Sequence, residues 1–295
     1  MSLPPRAIGI AAALAGAIAY GINIVYARAA TQQGVSAADL VFLRVFLMLG
    51  LVTATIGFAG GSLKVGRPDR PVLALVGVSS AGIGLAYFFA VSFVPIGVAA
   101  VIFYTFPLLI LIASPFVDGE RLTLQRLGVF ALAFLGLAVA LGPTLGGVDP
   151  RGMALAAAAS LFAACQFFAA ARAGRRVGPQ AVLFWSHVVI MPIAGLAALM
   201  NGIGQWSALT GAWFAAAMTM LGYLAGFAFQ MLSARNAPPA LVGLVFCLEP
   251  VVAIATANLV LGETLTKPQM VGSLIVLSAL VASSLAELRR QPQPA

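Results

Sequence analysis

Ten runs of about twenty apolar residues follow one another along this chain, at 7–28, 39–59, 71–92, 95–114, 122–142, 151–171, 179–200, 208–232, 238–260 and 267–286. About twenty residues, rising 1.5 Å each, are what a helix needs to cross the hydrocarbon core of a bilayer. Lipid offers no water to backbone N–H and C=O groups, so runs of this kind must coil into helices. The breaks carry turn chemistry or charge: Gly60-Gly61, Arg67-Pro68-Asp69-Arg70-Pro71, Gly142-Pro143, Asp149-Pro150 and Pro238-Pro239. Only Pro95 and Gly97 mark the break between the third and fourth runs. Joined, those two would be far longer than any bilayer needs.

Composition agrees. The chain of 295 residues is 62% hydrophobic and 8% charged, against about 25% charged in soluble domains. Mean hydropathy is +1.06. A formal charge of +8 would suit nucleic acid if the basic residues clustered on an aromatic or Gly-rich platform. They sit between apolar runs instead, so the expected partner is the lipid bilayer and not nucleic acid. Cys165 and Cys247 both lie inside apolar runs and read as small packing residues. With a single histidine and no C-x-x-C pair, no metal site is expected, and no cofactor is implied.

A second feature is a duplication. Pro107 is followed thirteen residues later by Glu120, within Gly119-Glu120-Arg121-Leu122-Thr123. Pro250 is followed thirteen residues later by Glu263, within Gly262-Glu263-Thr264-Leu265-Thr266. Pro95 and Pro238 share the same offset of 143 residues. The chain therefore reads as a single membrane domain over 1–295, with one five-helix repeat in 1–145 and a second in 146–295. Five is odd, so the second repeat must be inverted relative to the first.

The charges fit that inversion. With the N-terminus cytoplasmic, twelve of the sixteen basic residues fall on the inside, from Arg6 through Lys64, Arg67 and Arg70 to Arg289 and Arg290. Arg28, Arg44, Arg151 and Lys267 fall at or near the outside. This is the expected inside bias, and it places both termini in the cytoplasm. The loop after the second run carries Lys64, Arg67 and Arg70, whereas its counterpart at 201–207 carries no charge. Inverted repeats of this kind suit alternating access, since each half can take the other's conformation in turn.

Five-helix halves, a mid-helix proline in the fourth helix and Gly-Glu-x-Leu-Thr before the fifth resemble the EamA-type branch of the drug/metabolite transporter (DMT) superfamily. Gln125 and Gly128 in one half, Gln269 and Gly272 in the other, extend the match. In length and sparse charge the chain is most similar to YddG-like amino-acid exporters. The resemblance implies a transporter and not an enzyme, moving a small molecule such as an amino acid, aromatic or otherwise neutral, by alternating access across a bacterial-type inner membrane. A monomer is compatible with it. Two other readings stay open: export of another metabolite or drug with proton coupling, and a membrane enzyme or receptor using the neighbourhood of Ser186 and His187. Against the last, no catalytic set of base, nucleophile and orienting group is visible.

Several residues are candidates. Pro107 and Pro250 each remove a helical donor and free the carbonyl of Phe103 or Phe246, so the pair reads as a hinge. A static kink is the plainer alternative. Glu120 and Glu263 read as structural fixtures at the starts of the fifth and tenth helices, where the dipole favours a carboxylate. Thr266 and Gln269 have capping-box spacing. Glu249 is an ionisable group deep in an apolar run and so a candidate for substrate or proton binding. Its counterpart is Phe106. Tyr20, Asn23, Tyr87, Tyr104, Gln166, Trp185, His187 and Gln230 complete an expected substrate cavity, with Tyr87 and Gln230 at equivalent repeat positions. His187 reads equally well as a packed, satisfied histidine. Arg44, about 7–8 Å deep by helical rise, is expected to snorkel to the outer surface, the alternative being that it attracts a substrate carboxylate. Trp206 and Trp213 read as interface anchors, and Gly222-x-x-x-Gly226 as a close helix contact.

Overall fold

A computed structural model describes residues 4–142, 149–200 and 206–290, the side chains of Ala59, Trp206 and 284–290 excepted. Pro143, residues 201–205 of the uncharged loop, and the side chains of Trp206, Arg289 and Arg290 lie outside that description. The described chain is helical: α1 (Pro5–Gln32), α2 (Ala37–Ala59), α3 (Arg70–Ala90), α4 (Ile96–Phe103), α5 (Phe106–Val117), α6 (Leu124–Leu141), α7 (Pro150–Arg176), α8 (Pro179–Met200), α9 (Trp206–Gly211), α10 (Trp213–Asn236), α11 (Pro239–Phe246), α12 (Leu248–Leu261) and α13 (Lys267–Arg290). Taking α4 with α5 and α11 with α12, nine helical stretches among the described residues are long and apolar enough to cross a membrane. The described apolar part of α13, Lys267–Ser283, is shorter. The chain is a multi-pass membrane protein.

Local chemistry sets the boundaries. Ser36, Thr123 and Asp149 cap α2, α6 and α7 by accepting from the backbone N–H groups of Ala38, Arg126 and Arg151. Thr266 and Gln269 make both bonds of a capping box at α13, at 2.9 and 3.4 Å. The sparsely marked break between the third and fourth runs is a turn after Ala90, with Pro95 at the N-cap of α4. Gly119 and Gly262 follow α5 and α12 with φ of +70° and +67°, a left-handed conformation that turns the chain out of the helix. That turn moves Glu120 and Glu263 off the helix starts expected for them. Each lies four residues ahead of its helix, too far for dipole capping, and takes an arginine instead.

Small residues make the close contacts along α1 and α7, and many large ones face outward. Ala12, Ala13 and Ala17 of α1 and Ala156, Ala159, Ala163, Ala170 and Ala171 of α7 are buried, while Phe58, Phe116, Leu124 and Leu259 are at least 84% exposed. Lipid tails are as apolar as leucine, so burying bulk gains little. Small residues let backbones approach and collect dispersion. α1 lies along α10 and α3 along α7, whereas α2 pairs with α8 and α6 with α13. In the repeat register the first two pairings are the same contact with the halves exchanged, and the last two join each helix to its own counterpart.

Candidate functional site

Glu249 sits in the first turn of α12, beside the break that separates it from α11. It is incompletely buried. The Tyr104 hydroxyl faces its carboxyl, and Tyr20 and Tyr87 lie within its electrostatic reach. These groups come together because both halves break their fourth helix at this level. Thr105 N donates to Ile102 O at 3.1 Å and Cys247 N to Leu244 O at 3.0 Å, each a tightened turn just ahead of Pro107 or Pro250. The Thr105 hydroxyl stitches its own turn to α7, donating to Ile102 O at 2.7 Å and contacting the Ser160 hydroxyl at 2.8 Å. Phe106, the counterpart of Glu249, is buried with its ring 5.2 Å from Phe167, which lies 5.4 Å from Phe246. One half thus presents a carboxylate where the other presents an aromatic wall.

A chain of hydrogen bonds crosses four helices beside this point. The Tyr20 hydroxyl donates to Gln230 Oε1 at 3.1 Å, Gln230 Nε2 to Gln166 Oε1 at 2.9 Å, and Gln166 Nε2 to Ser80 Oγ at 2.8 Å. Gln166 and Gln230, expected to line a cavity, are buried and spend their amides on each other. Asn23 likewise gives its amide to Thr219 O at 2.6 Å. The Gly222 and Gly226 contact forms against α1, with Gly222 under Asn23 and Gly226 under the Tyr20 ring. Replacing Gln166 with leucine leaves the Ser80 hydroxyl and the Gln230 amide each short of a partner. The expected cost is about 1 kcal/mol, since interhelical hydrogen bonds in membranes average somewhat less and buried orphans somewhat more. Thermal denaturation in detergent checks it, and adding Ser80→Ala should cost less than the two single changes together.

Three expectations need correction. Trp185 stands apart from the group, 39% exposed, with Nε1 donating to Leu63 O at 2.9 Å in the α2–α3 loop. His187 is fully buried against Phe227 at 4.6 Å, with Nδ1 on Leu183 O at 2.8 Å and Nε2 on the Tyr223 hydroxyl at 3.0 Å. Both nitrogens are used, so it packs and does not line a path. Arg44 does not snorkel. Its guanidinium carbon stands 4.3 Å over the Tyr223 ring, and it reaches Tyr20 and His187 electrostatically. Nothing in the sequence surroundings of Tyr223 singles it out, although the repeat register marks it. Arg44 and His187 stand 143 apart, as do Ser80 and Tyr223.

Ion pairs close the two ends of the bundle. Arg28 at the end of α1 meets Glu263 at 2.8 Å, and Asn258 Nδ2 donates to Glu263 O at 2.6 Å. At the other end Arg126 meets Glu120 at 2.7 Å, Arg176 meets Asp69 at 3.7 Å and Arg175 meets Asp118 at 3.8 Å. Burial pushes the Asp118 carboxyl above its ordinary value, and Arg175 pulls it back. On the Arg28 side a cavity of about 480 Å³ opens among Tyr26, Gln32, Gln33, Trp213, Phe214 and Leu259. No group of three or more His, Cys, Asp or Glu able to hold a metal occurs among the described residues.

The sequence matches the model of the EamA-like transporter family twice, over residues 7–142 and 150–285. The chain belongs to the EamA-like transporter family. Among similar proteins is the threonine/homoserine exporter RhtA of Escherichia coli strain K12, 27% identical over 276 residues that cover 90% of this chain and 89% of that one. RhtA of Salmonella typhimurium strain LT2 is 27% identical over 251 residues, covering 84% and 82%. A probable amino-acid metabolite efflux pump of the same strain is 28% identical over 240 residues, covering 73% and 78%. One solved crystal structure shares the fold, with a TM-score of 0.74 at 22% identity, covering 94% of this chain and 99% of that one.

Proposed function

We propose that this chain exports small metabolites, foremost amino acids that are aromatic or otherwise neutral, across a bacterial inner membrane by alternating access. Near-full-length similarity to an exporter of threonine and homoserine carries the reading. Geometry supports it: a polar, aromatic group sits where the fourth helix of each half is broken. In this reading ten helices form two inverted five-helix repeats, 1–145 and 146–295, with both termini cytoplasmic. The exchanged pairings of α1 with α10 and of α7 with α3 favour that arrangement, because an axis relating inverted halves produces such an exchange. Pro107 and Pro250 serve as the paired hinge, and the cavity beside Arg28 and Glu263 as the outer vestibule.

Cells expressing the chain and loaded with a threonine-containing dipeptide should release free threonine faster than cells with an empty vector. Equal release for threonine, homoserine and the neutral aromatic amino acids would reject the substrate class. Export of another metabolite or drug with proton coupling is the second reading, favoured by the single mid-span carboxylate, Glu249. It predicts flux that follows an imposed pH gradient.

A further inference from the structure

Two groups of opposite charge type at the middle of the bundle join no ion pair among the described residues. Arg44 lies on α2, above the Tyr223 ring, and its Nε is buried without a hydrogen-bond partner. None of the ion pairs among the described residues includes it. Glu249 lies on α12 and joins no ion pair among those residues either. Its neighbours are the hydroxyls of Tyr104, Tyr20 and Tyr87. Tyr20 is within electrostatic reach of both. Its hydroxyl is held by Gln230, whose amide is held in turn by Gln166. The Tyr20 side chain is therefore held through residues of two other helices.

Charges at membrane depth are costly and persist where something compensates them. A satisfied pair would have closed on itself, as Arg28 with Glu263 and Arg126 with Glu120 have done. Arg44 and Glu249 have not. A ligand able to answer both must carry an anion and a cation. Guanidinium suits a carboxylate in planar, two-toothed geometry, and a carboxylate flanked by aromatic rings suits an ammonium. We propose that Arg44 binds the α-carboxylate and Glu249 the α-ammonium of the transported amino acid, beside Tyr20. The buried wall of Phe106, Phe167 and Phe246 then faces the side chain. This deepens the function proposed above and rests on it.

The two claims come apart in one experiment on the purified full chain in liposomes. Counterflow of labelled L-threonine is measured against unlabelled threonine, its methyl ester, which lacks the carboxylate, and N-acetylthreonine, which lacks the ammonium. Unlabelled threonine should compete at least about tenfold better than either analogue, since a buried group left unpaired rejects a ligand strongly. Arg44→Gln should abolish discrimination against the ester, Glu249→Gln should abolish it against the N-acetyl compound, and Arg44→Lys should keep part of it. Equal competition by all three compounds on the unaltered protein would overturn the zwitterion site while leaving the exporter standing. Absence of any amino-acid flux would overturn both. The competition on unaltered protein decides even where a variant does not fold.

Discussion

Gly272→Leu should lower the thermal stability of the detergent-purified protein sharply, by about 3 kcal/mol or more on the scale of core overpacking. The reason is the crossing of α6 and α13. A Cβ built at Gly272 would press on Ala140 N and Gly136 O, and one built at Gly136 would lie 2.9 Å from Gly272 O and from Val276. The atoms it meets at Gly272 are backbone, which cannot swing aside as a flexible side chain can. Either the helices separate along their length, or one loses its hydrogen bonding locally. Gly128→Leu is the control, because a Cβ there meets nothing within 4 Å. An unfolding midpoint unchanged by Gly272→Leu would show that the two helices do not cross so closely.

The second large effect concerns movement. Pro107→Ala combined with Pro250→Ala should slow amino-acid counterflow by about tenfold while leaving the protein folded. Each proline lies within three residues of a break, between α4 and α5 or between α11 and α12. Restoring an N–H at both positions gives the carbonyls of Phe103 and Phe246 partners and favours straight helices. Each proline lies in the first turn of α5 or α12, where it costs its own helix little. The change therefore acts across the break, by joining α5 to α4 and α12 to α11. A tenfold slowing asks for about 1.4 kcal/mol of bias toward the joined form. An undiminished rate in the double variant would make the breaks static kinks. A lost rate with a lowered unfolding midpoint would assign them to folding instead.

How far the sequence could be read follows from which interactions are local. The apolar runs, the capping box of Thr266 and Gln269, and the close approach at Gly222 and Gly226 depend on spacing within one segment, so they were legible. The destination of a long side chain is not. Arg44 lies within snorkelling reach of the outer end, and only the arrival of Tyr223 from α10 turns it inward. Gln166 and Gln230 look like cavity residues one at a time, because nothing in either segment says that each is the other's partner. Spacing alone puts Glu120 and Glu263 at helix starts, because nothing local fixes the conformation of the glycines before them. The positive φ at Gly119 and Gly262 carries them across the loop to Arg126 and Arg28. The register of the duplication is legible too: the offset that pairs the prolines also pairs Arg44 with His187 and Ser80 with Tyr223.

The central claim, amino-acid export by alternating access, is tested most directly with the purified chain in liposomes preloaded with unlabelled threonine or homoserine and diluted into a trace of labelled amino acid. A carrier that exposes one site alternately to each side should draw label inward, raising it transiently above the outside concentration before it decays. That overshoot should vanish in vesicles without preload. Label that only equilibrates at the rate of protein-free vesicles, across threonine, homoserine and the neutral aromatic amino acids, would contradict the account.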